Sequence, residues 1–344
     1  MSLFFFHPFV FLRQRRCAAV LFVFLCFGVA GAARADDCKA TMTDMVFANV
    51  SPIAATDVST SGTLSVTCTF GLLQGIPPRL LFPNVVYCVF LGVGSGGTTG
   101  QYRAMVSGTA KLPYNLYLDT SYAPTSVWGG GAMVNTSPVT GAMSTLLGLA
   151  SITNTYPISG RIPGAALTTV ASGGGDTAAY TSVFSADATL SYAFYAGTPP
   201  PCTAGTTTTF SFQARTNVVN DCVVNAGVLN FGPTTVLVQP MRTLATLGVK
   251  CTANANFRIS LNGGLNGTPG VRKLKNTATG EMIAYTISDA LDGATWGDGT
   301  GGTAPVLSVG TGSQQNLTLY GLVAPQTTPT PGDYKDTVTA TIYF

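Results

Sequence analysis

Histidine is almost absent from this 344-residue chain, and charged residues are scarce. The single histidine is His7, and Asp, Glu, Lys and Arg together account for 9% of the sequence. Histidine is the commonest general base in catalysis and a frequent metal ligand. The chain also has no G-x-S-x-G motif, and its glycine-rich stretches lack the following helix that phosphate binding requires. We therefore expect no enzyme activity, no cofactor and no metal site. A carbohydrate-active enzyme with paired carboxylates is the enzymatic alternative, although acidic residues are sparse in the first half.

The first 35 residues have the pattern of a secretory signal peptide. Arg13, Arg15 and Arg16 precede an apolar run over residues 17–30, and residues 33–35 form an A-x-A cleavage site. This apolar run is shorter than the roughly 20 residues that a membrane-spanning helix needs. Cleavage removes four of the 17 Lys and Arg residues, so 13 remain against 14 Asp and Glu. This balance argues against a nucleic-acid partner, because neutralising phosphates requires clustered basic residues.

A set of landmarks occurs twice, in the same order, along the chain. Each copy has a cysteine pair about thirty residues apart, then Arg-x-hydrophobic, Tyr-x-hydrophobic and Trp-Gly motifs, and an alternating terminal run. The first copy has Cys38, Phe47, Cys68, Arg103, Tyr114, Trp128 and residues 188–194, and the second has Cys222, Phe231, Cys251, Arg272, Tyr285, Trp296 and residues 338–344. So many matches in one order indicate an internal duplication. Because both copies contain the arginine and the tryptophan, we interpret these as structural residues.

Six cysteines remain after removal of the leader, and an even number favours disulfide bonds in an exported protein. The repeat pairs Cys38 with Cys68 and Cys222 with Cys251, which leaves Cys88 with Cys202 by elimination. A metal site is the competing interpretation. It is disfavoured because these cysteines form no C-x-x-C pair.

The composition predicts an all-β protein of two tandem immunoglobulin-like antiparallel β-sandwich domains. Thr, Ser, Gly, Val and Ala dominate, and Gly/Pro/Asn clusters separate short alternating runs. Consecutive prolines within residues 197–201 mark the connection between the copies. The predicted units are a signal peptide (1–35), an N-terminal domain (36–206), a separate strand (207–219) and a C-terminal domain (220–344).

The strand ahead of the second copy has no counterpart ahead of the first. Its alternating residues are those of a strand that buries one face: Phe210, Phe212, Ala214, Thr216 and Val218. We expect this strand to fold back and complete the first domain in cis. The second copy ends at Phe344, so we expect the C-terminal domain to lack its final strand.

The first copy contains apolar insertions that the second copy lacks. They include Leu72, Leu73, Ile76, Leu80, Leu81, Phe82, Met133, Val134 and Met143, with a further expansion over residues 163–174. We hypothesise that they form exposed loops that attach to surfaces by the hydrophobic effect, each large side chain contributing roughly 1.5–3 kcal/mol. The alternative is that the loops pack on their own domain or on the second one.

The landmarks resemble the spore coat protein U domain. The resemblance covers residues 220–344 well, and residues 38–195 diverge because of the insertions and the third disulfide. In Gram-negative bacteria this family includes the pilins of archaic chaperone-usher fimbriae, and two such domains in one exported chain resemble the tip subunit. The resemblance implies an N-terminal adhesin domain and a C-terminal pilin domain that a neighbouring subunit completes by strand addition.

The same resemblance implies the partners and the location. The partners are a periplasmic chaperone, an outer-membrane usher, the next pilus subunit and an abiotic or host surface. The location is the fimbrial tip, reached through the periplasm, with a role in attachment and biofilm formation. No donor strand is expected ahead of Cys38, so we expect the chain to accept a neighbour but not to donate to one. The alternative is a secreted coat or matrix protein that is not assembled into pili.

Overall fold

The structure is a computed structural model that describes residues 36–71, 83–130, 133, 135–146, 150–168, 170 and 177–344. Strands make up nearly all of its regular structure, which confirms the all-β prediction. The buried hydrophobic residues form two cores, one within residues 38–218 and the other within residues 222–342. We call these two parts the N-terminal lobe and the C-terminal lobe. Within the described residues, no helix is both long and apolar enough to cross a membrane.

The N-terminal lobe is built from two sheets. Its strands are β1 (Asp37–Met42), β2 (Met45–Val46), β3 (Val58–Thr69), β4 (Asn84–Leu91), β5 (Thr98–Thr99), β6 (Tyr102–Ser107), β7 (Ala110–Tyr117), β8 (Val139–Ser144), β9 (Ser151–Ile162), β10 (Thr177–Phe184), β11 (Ala188–Tyr195), β12 (Thr206–Thr209) and β13 (Phe212–Val219). The larger sheet has the order β1-β3-β9-β7-β6-β10-β13-β2, with β5 paired to β6, and the smaller has the order β12-β11-β4-β8. Two 3₁₀ turns (Pro124–Ser126 and Cys202–Ala204) and one short helix, α1 (Gly164–Leu167), lie in connections.

The C-terminal lobe repeats this arrangement with fewer strands. They are β14 (Cys222–Ala226), β15 (Met241–Cys251), β16 (Asn256–Leu261), β17 (Arg272–Asn276), β18 (Met282–Ser288), β19 (Val306–Val309), β20 (Gln314–Val323), β21 (Tyr334–Lys335) and β22 (Ala340–Tyr343). The sheets have the orders β14-β15-β20-β18-β17-β21 and β19-β16-β22. These correspond strand for strand to β1-β3-β9-β7-β6-β10 and β8-β4-β11. The duplication seen in the sequence is therefore present in the topology.

Alternation of side chains produces the two layers of each lobe. In β3, Leu64 and Val66 are buried and the residues between them face outward; in β15, Leu247 and Val249 take the same positions. A strand exposes successive side chains to opposite faces, so a period of two buries one face of each sheet. The two buried faces then pack together as the core.

Three disulfide bonds join Cys38 to Cys68, Cys222 to Cys251 and Cys88 to Cys202, the pairs that the sequence predicts. The first two connect directly opposed residues of β1 and β3 and of β14 and β15. The third connects β4 to the segment between β11 and β12, where Ser191 Oγ also donates to Cys202 O at 2.9 Å. This bond holds the connection that leads into β12 and β13 against the smaller sheet.

Candidate functional site

β13 is an interior strand of the N-terminal lobe. It pairs antiparallel with β10 along its whole length and parallel with β2 on its other edge. On the second edge, Phe47 N–H donates to Arg215 O (2.9 Å) and Val219 N–H donates to Val50 O (3.0 Å). Both edges of β13 are therefore hydrogen-bonded.

The inward face of this segment is part of the core. Each of its five alternating side chains is at most 9% exposed: Phe210, Phe212, Ala214, Thr216 and Val218. The ring of Phe212 stacks on Phe184, with 4.6 Å between centroids, and lies 6.2 Å from the ring of Trp128. Thr216 Oγ1 donates to Ala48 O at 2.8 Å, which satisfies its buried hydroxyl. These contacts fix the register of β13 within the lobe.

The C-terminal lobe has an open groove at the corresponding position. β21 ends the larger sheet, and among the described residues no strand pairs with its outer edge. A cavity of 740 Å³ lies between β21 and residues 229–237, and one of 250 Å³ lies beside residues 336–340. Leu229, Phe231 and Leu274 line both cavities, so they join into one groove, which we call the C-lobe groove.

Matched positions of the two copies differ in burial along this groove. Met45, Phe47, Met105 and Leu112 are at most 3% exposed in the N-terminal lobe. Their counterparts are only partly buried: Leu229, Phe231, Leu274 and Ile283. By contrast, Trp128 and its counterpart Trp296 are both buried. The C-terminal lobe thus buries its tryptophan fully, whereas the apolar side chains that line the C-lobe groove are only partly buried.

Arg103 and Arg272 have the same structural role in their lobes. Both are fully buried, and Arg103 donates from Nε to Gly92 O (2.7 Å) and from Nη2 to Leu91 O (3.2 Å) and Trp128 O (2.7 Å). Arg272 makes the three matching bonds at 2.8, 3.2 and 2.8 Å. Desolvation lowers the pKa of Arg103 to about 10, so the guanidinium stays protonated at neutral pH. These bonds tie separate backbone segments together, in line with the structural interpretation drawn from the sequence.

An acidic residue beside the groove also has a structural role. Asp336 lines the smaller cavity and accepts bonds from Tyr285 Oη (2.9 Å) and Leu265 N–H (2.8 Å). Burial and this carboxylate raise the pKa of Tyr285 well above its usual value. In the described part of the chain, no group of three or more His, Cys, Asp or Glu residues could hold a metal ion.

Most of the residues predicted to bind surfaces lie outside the described residues. These are Leu72, Leu73, Ile76, Leu80, Leu81, Phe82 and Val134. Met133 is half-buried. Met143 lies on the inward face of β8 and is 5% exposed, so the prediction that it belongs to an exposed loop is wrong. Leu167 and Val170 are also buried, so these residues of the 163–174 expansion pack on their own lobe.

Residues next to two of the predicted loops lie at opposite ends of β4. β4 and β8 are antiparallel, with Asn84 opposite Ser144 and Val89 opposite Val139. Pro83, which follows segment 72–82 in the sequence, lies at the Asn84 end. Met133 bridges to Gly130, beside the Leu91 end. At 3.3 Å per residue, the two ends of β4 are roughly 20 Å apart.

Leu146 is an exposed leucine that the sequence analysis missed. It lies in the connection between β8 and β9 and is 69% exposed. At the two ends of this connection, Phe70 N–H donates to Ala150 O (2.8 Å) and Thr145 N–H donates to Pro83 O (3.2 Å). These bonds hold the ends of the connection beside Phe70 and Pro83, which flank the predicted segment 72–82 in the sequence. We call this end of the N-terminal lobe the distal pole; the available signal was the run of leucines over residues 146–149.

Two regions of the chain, residues 24–196 and 208–341, match the model of the Spore Coat Protein U domain. Together they cover most of the chain, and the chain therefore belongs to this family. Protein U of Myxococcus xanthus is 30% identical over 155 residues, which are 40% of this chain and 86% of that protein. This match agrees with the family assignment.

The solved structures that this chain matches include two that contain tip proteins. One is the CsuC–CsuE chaperone–tip adhesion subunit complex from archaic chaperone-usher Csu pili of Acinetobacter baumannii, at 16% identity and a TM-score of 0.48, covering 89% of this chain and 100% of that chain. Another is the CupB6 tip adhesin of Pseudomonas aeruginosa, at 12% identity and a TM-score of 0.36, covering 91% and 96%. The family assignment rests on the domain matches.

Proposed function

We propose that this chain is the tip adhesin of an archaic chaperone-usher fimbria. Its N-terminal lobe attaches to surfaces and supports biofilm formation, and its C-terminal lobe accepts a donor strand from the next subunit. The observation that carries the proposal is the contrast between the groove filled by β13 in one lobe and the open C-lobe groove in the other. A chain of this kind has one acceptor site and binds at one end of a fibre.

In this proposal, residues 207–219 complete the N-terminal domain in cis. They are not one continuous strand as the sequence predicted, because β12 pairs with β11 in the smaller sheet and β13 pairs with β10 in the larger one. The domains are then residues 36–206 and 220–344, joined through this segment. The support is the two-sided pairing of β13 and the burial of its alternating face. Only residues 220 and 221 separate β13 from β14, and Ser51 Oγ donates to Asp221 Oδ2 at 2.6 Å. The cis strand therefore leads directly into the second domain.

The C-lobe groove is the proposed acceptor for a strand of another subunit. A half-buried apolar groove beside an unpaired strand edge is unfavourable in water and prone to unwanted pairing. Strand addition removes both problems, because it pairs the edge and covers the apolar side chains. During export the same groove would bind a periplasmic chaperone, and an outer-membrane usher would exchange that chaperone for the next subunit.

The distal pole is the proposed adhesive surface. Segment 72–82 and residues 146–149 are both rich in leucine. The described residues that flank them are hydrogen-bonded to each other, Phe70 to Ala150 and Thr145 to Pro83. Each large apolar side chain buried against a surface contributes roughly 1.5–3 kcal/mol. Many pili on one cell multiply the effect, because each bound tip raises the effective concentration of the others.

Co-expression with the chaperone tests the pilus proposal. We expect the chain to accumulate in the periplasm only when the chaperone encoded beside it is present, and immunogold labelling to mark fibre ends. Stable monomer made without a chaperone, or label distributed over a cell coat, would instead support a secreted coat or matrix protein.

Substitution of the distal pole tests the adhesive surface. We expect Leu72→Ser, Leu73→Ser and Phe82→Ser together to abolish attachment to polystyrene without changing the number of fibres per cell. Added to a variant that carries only one or two of these three substitutions, Leu146→Ser should weaken attachment further. The control is Leu265→Ser with Leu307→Ser, because both leucines are exposed in the C-terminal lobe. Unchanged attachment after the triple substitution would refute the role of this pole.

A further inference from the structure

The N-terminal lobe contains a tyrosine-lined cavity that neither the fold nor the proposed attachment uses. Its volume is 430 Å³, and residues 101–102, 115–122 and 161 contribute to its walls. We call it the tyrosine pocket. Its principal lining residues are Gln101, Tyr102, Asn115, Tyr117, Tyr122 and Arg161. Its size falls within the range of small-molecule sites, about 300–1,000 Å³.

The aromatic wall of the pocket is held in place. The guanidinium of Arg161 lies 5.3 Å from the ring centroid of Tyr122, and Tyr117 contacts the same ring edge-on at 5.3 Å. Asp57 binds Arg161 and also accepts from Gly164 N–H at 2.7 Å. A ring fixed on two sides loses little conformational freedom when a ligand binds.

Two lining residues have strained backbones. Tyr122 and Asn135 have φ angles of 55° and 59° and both line the pocket. A bulky residue such as tyrosine rarely adopts this left-handed conformation. Strain of this kind persists when the surrounding structure enforces it, and it concentrates at binding sites.

The second copy folds without this set of residues. The two copies can be aligned on Arg103/Arg272, Tyr114/Tyr285 and Gly160/Gly321. This alignment matches Tyr102 with Val271, Tyr117 with Ser288 and Arg161 with Leu322. The strand pairing agrees, because Asn115 opposes Arg161 as Thr286 opposes Leu322. The tyrosines and the arginine are therefore not required by the sandwich itself.

We infer that the tyrosine pocket binds a neutral sugar residue. Aromatic rings pack against the apolar C–H face of a pyranose, and the exposed amides of Gln101 and Asn135 both donate to and accept from its hydroxyls. Asn115 contributes only to the wall, because it is 2% exposed and its amide already accepts from Arg103 N–H and donates to Gln101 O. Arg161 is the one charged residue among the described lining residues, and Asp57 compensates its charge. The pocket thus lacks the free positive charge that an acidic sugar would pair with.

This site is separate from the proposed adhesive surface. Arg161 is near the end of β9, and Ser151, at its beginning, lies beside the distal pole. Ten residues of strand place the two sites roughly 30 Å apart. A substitution in one site can therefore abolish its activity, sugar binding or attachment to plastic, without affecting the other. The inference thus goes beyond the proposed function.

Saturation-transfer NMR on the purified full chain tests the inference. The probes are the methyl glycosides of glucose, galactose, mannose, fucose, N-acetylglucosamine and N-acetylgalactosamine, with glucuronic and sialic acid as charged counterparts. We expect at least one neutral glycoside to bind with a dissociation constant on the order of 1 mM. Tyr102→Val and Arg161→Leu introduce the residues of the second copy, and each should weaken binding at least tenfold. Attachment to polystyrene should stay unchanged in both variants.

The control variant is Tyr343→Val, which removes an exposed tyrosine from the other lobe and should leave sugar binding unchanged. Thermal unfolding of each variant shows whether the N-terminal lobe is intact, and Arg161→Lys keeps the positive charge beside Asp57 while it removes the guanidinium from the ring of Tyr122. Three results would overturn the inference: no neutral glycoside binds, an acidic sugar binds more tightly than every neutral one, or folded Tyr102→Val binds as well as the parent chain.

Discussion

The N-terminal and C-terminal lobes share the order of their inner strands but differ at two sheet edges. Among the described residues, only the N-terminal lobe adds β13 and β2 beyond β10, and β12 beyond β11. In the N-terminal lobe, β13 lies between β10 and β2 and buries the side chains beneath it. In the C-terminal lobe, the strand equivalent to β10 is β21, and an apolar groove lies at its outer side. The interior is alike in both lobes, and in each of them the buried arginine donates hydrogen bonds to three backbone carbonyls.

This comparison sets a lobe that contains β13 against one in which, among the described residues, no strand takes its place. The deep core forms in both lobes, because Trp128 and Trp296 are equally buried. The layer next to β13 differs between them, as Phe47 is buried and Phe231 is half-exposed. Under the proposed function, the segment that precedes the second copy gives the two domains their different roles.

The largest expected effect comes from a charge placed in the filled groove. Phe212→Asp puts a carboxylate into the aromatic stack with Phe184, at a cost above about 4 kcal/mol, which approaches the whole stability of a domain. The N-terminal lobe should not fold, while the C-terminal lobe should be unchanged. Incorporation of 5-fluorotryptophan gives one ¹⁹F NMR signal per lobe, because Trp128 and Trp296 are the two tryptophans of the chain.

The control for that variant is Arg215→Ser, on the exposed face of the same strand. It should change the stability of the N-terminal lobe by less than about 0.5 kcal/mol. A native ¹⁹F signal for Trp128 in Phe212→Asp would show that β13 is not needed to complete this lobe.

Removal of the buried arginines should affect the two lobes equally. Arg103→Met and Arg272→Met each remove the donor of three backbone carbonyls, all in buried residues except that of the exposed Asn262. Each buried carbonyl left unsatisfied costs about 1–3 kcal/mol. We expect a loss of roughly 3 kcal/mol or more in the lobe that carries the change. Urea unfolding followed by the two ¹⁹F signals measures it, with exposed Arg258→Met as the control. Losses that differ by several kcal/mol would mean that the frameworks are not equivalent.

A smaller effect should distinguish the groove positions themselves. Met105→Ala removes a fully buried side chain and should cost about 2–5 kcal/mol. Leu274→Ala, at the matched but half-exposed position, should cost only about 1 kcal/mol, because water already reaches it. Urea unfolding of each lobe checks the difference. Equal losses in the two lobes would contradict the open state of the C-lobe groove.

The strands and disulfides were predictable because they depend on local patterns. Alternation identified β13 through Phe212, Ala214 and Val218, and the repeat paired Cys38 with Cys68. The all-β class followed from composition and turn residues. These features require only neighbouring residues or a comparison of the chain with itself.

Other features depend on the three-dimensional arrangement and were not predictable in this way. Met143 has the same apolar character in a buried strand as in an exposed loop, so composition alone placed it wrongly. The position of Leu146 depends on two hydrogen bonds that join the ends of its connection to Phe70 and Pro83. The tyrosine pocket combines Tyr102, Tyr122 and Arg161 from separate parts of the chain.

The most direct measurement is the stability of the C-terminal lobe after a copy of residues 207–219 is fused behind Phe344 through a short Gly/Ser linker. If the groove accepts a strand, burial of the added apolar side chains at roughly 1.5–3 kcal/mol each should raise the unfolding temperature reported by Trp296 by more than about 10 °C. The signal of Trp128 should not move, and a fused strand with its alternation shifted by one residue should have little effect. An unfolding temperature for Trp296 that is unchanged by the matched strand, or raised equally by the shifted one, would contradict the account.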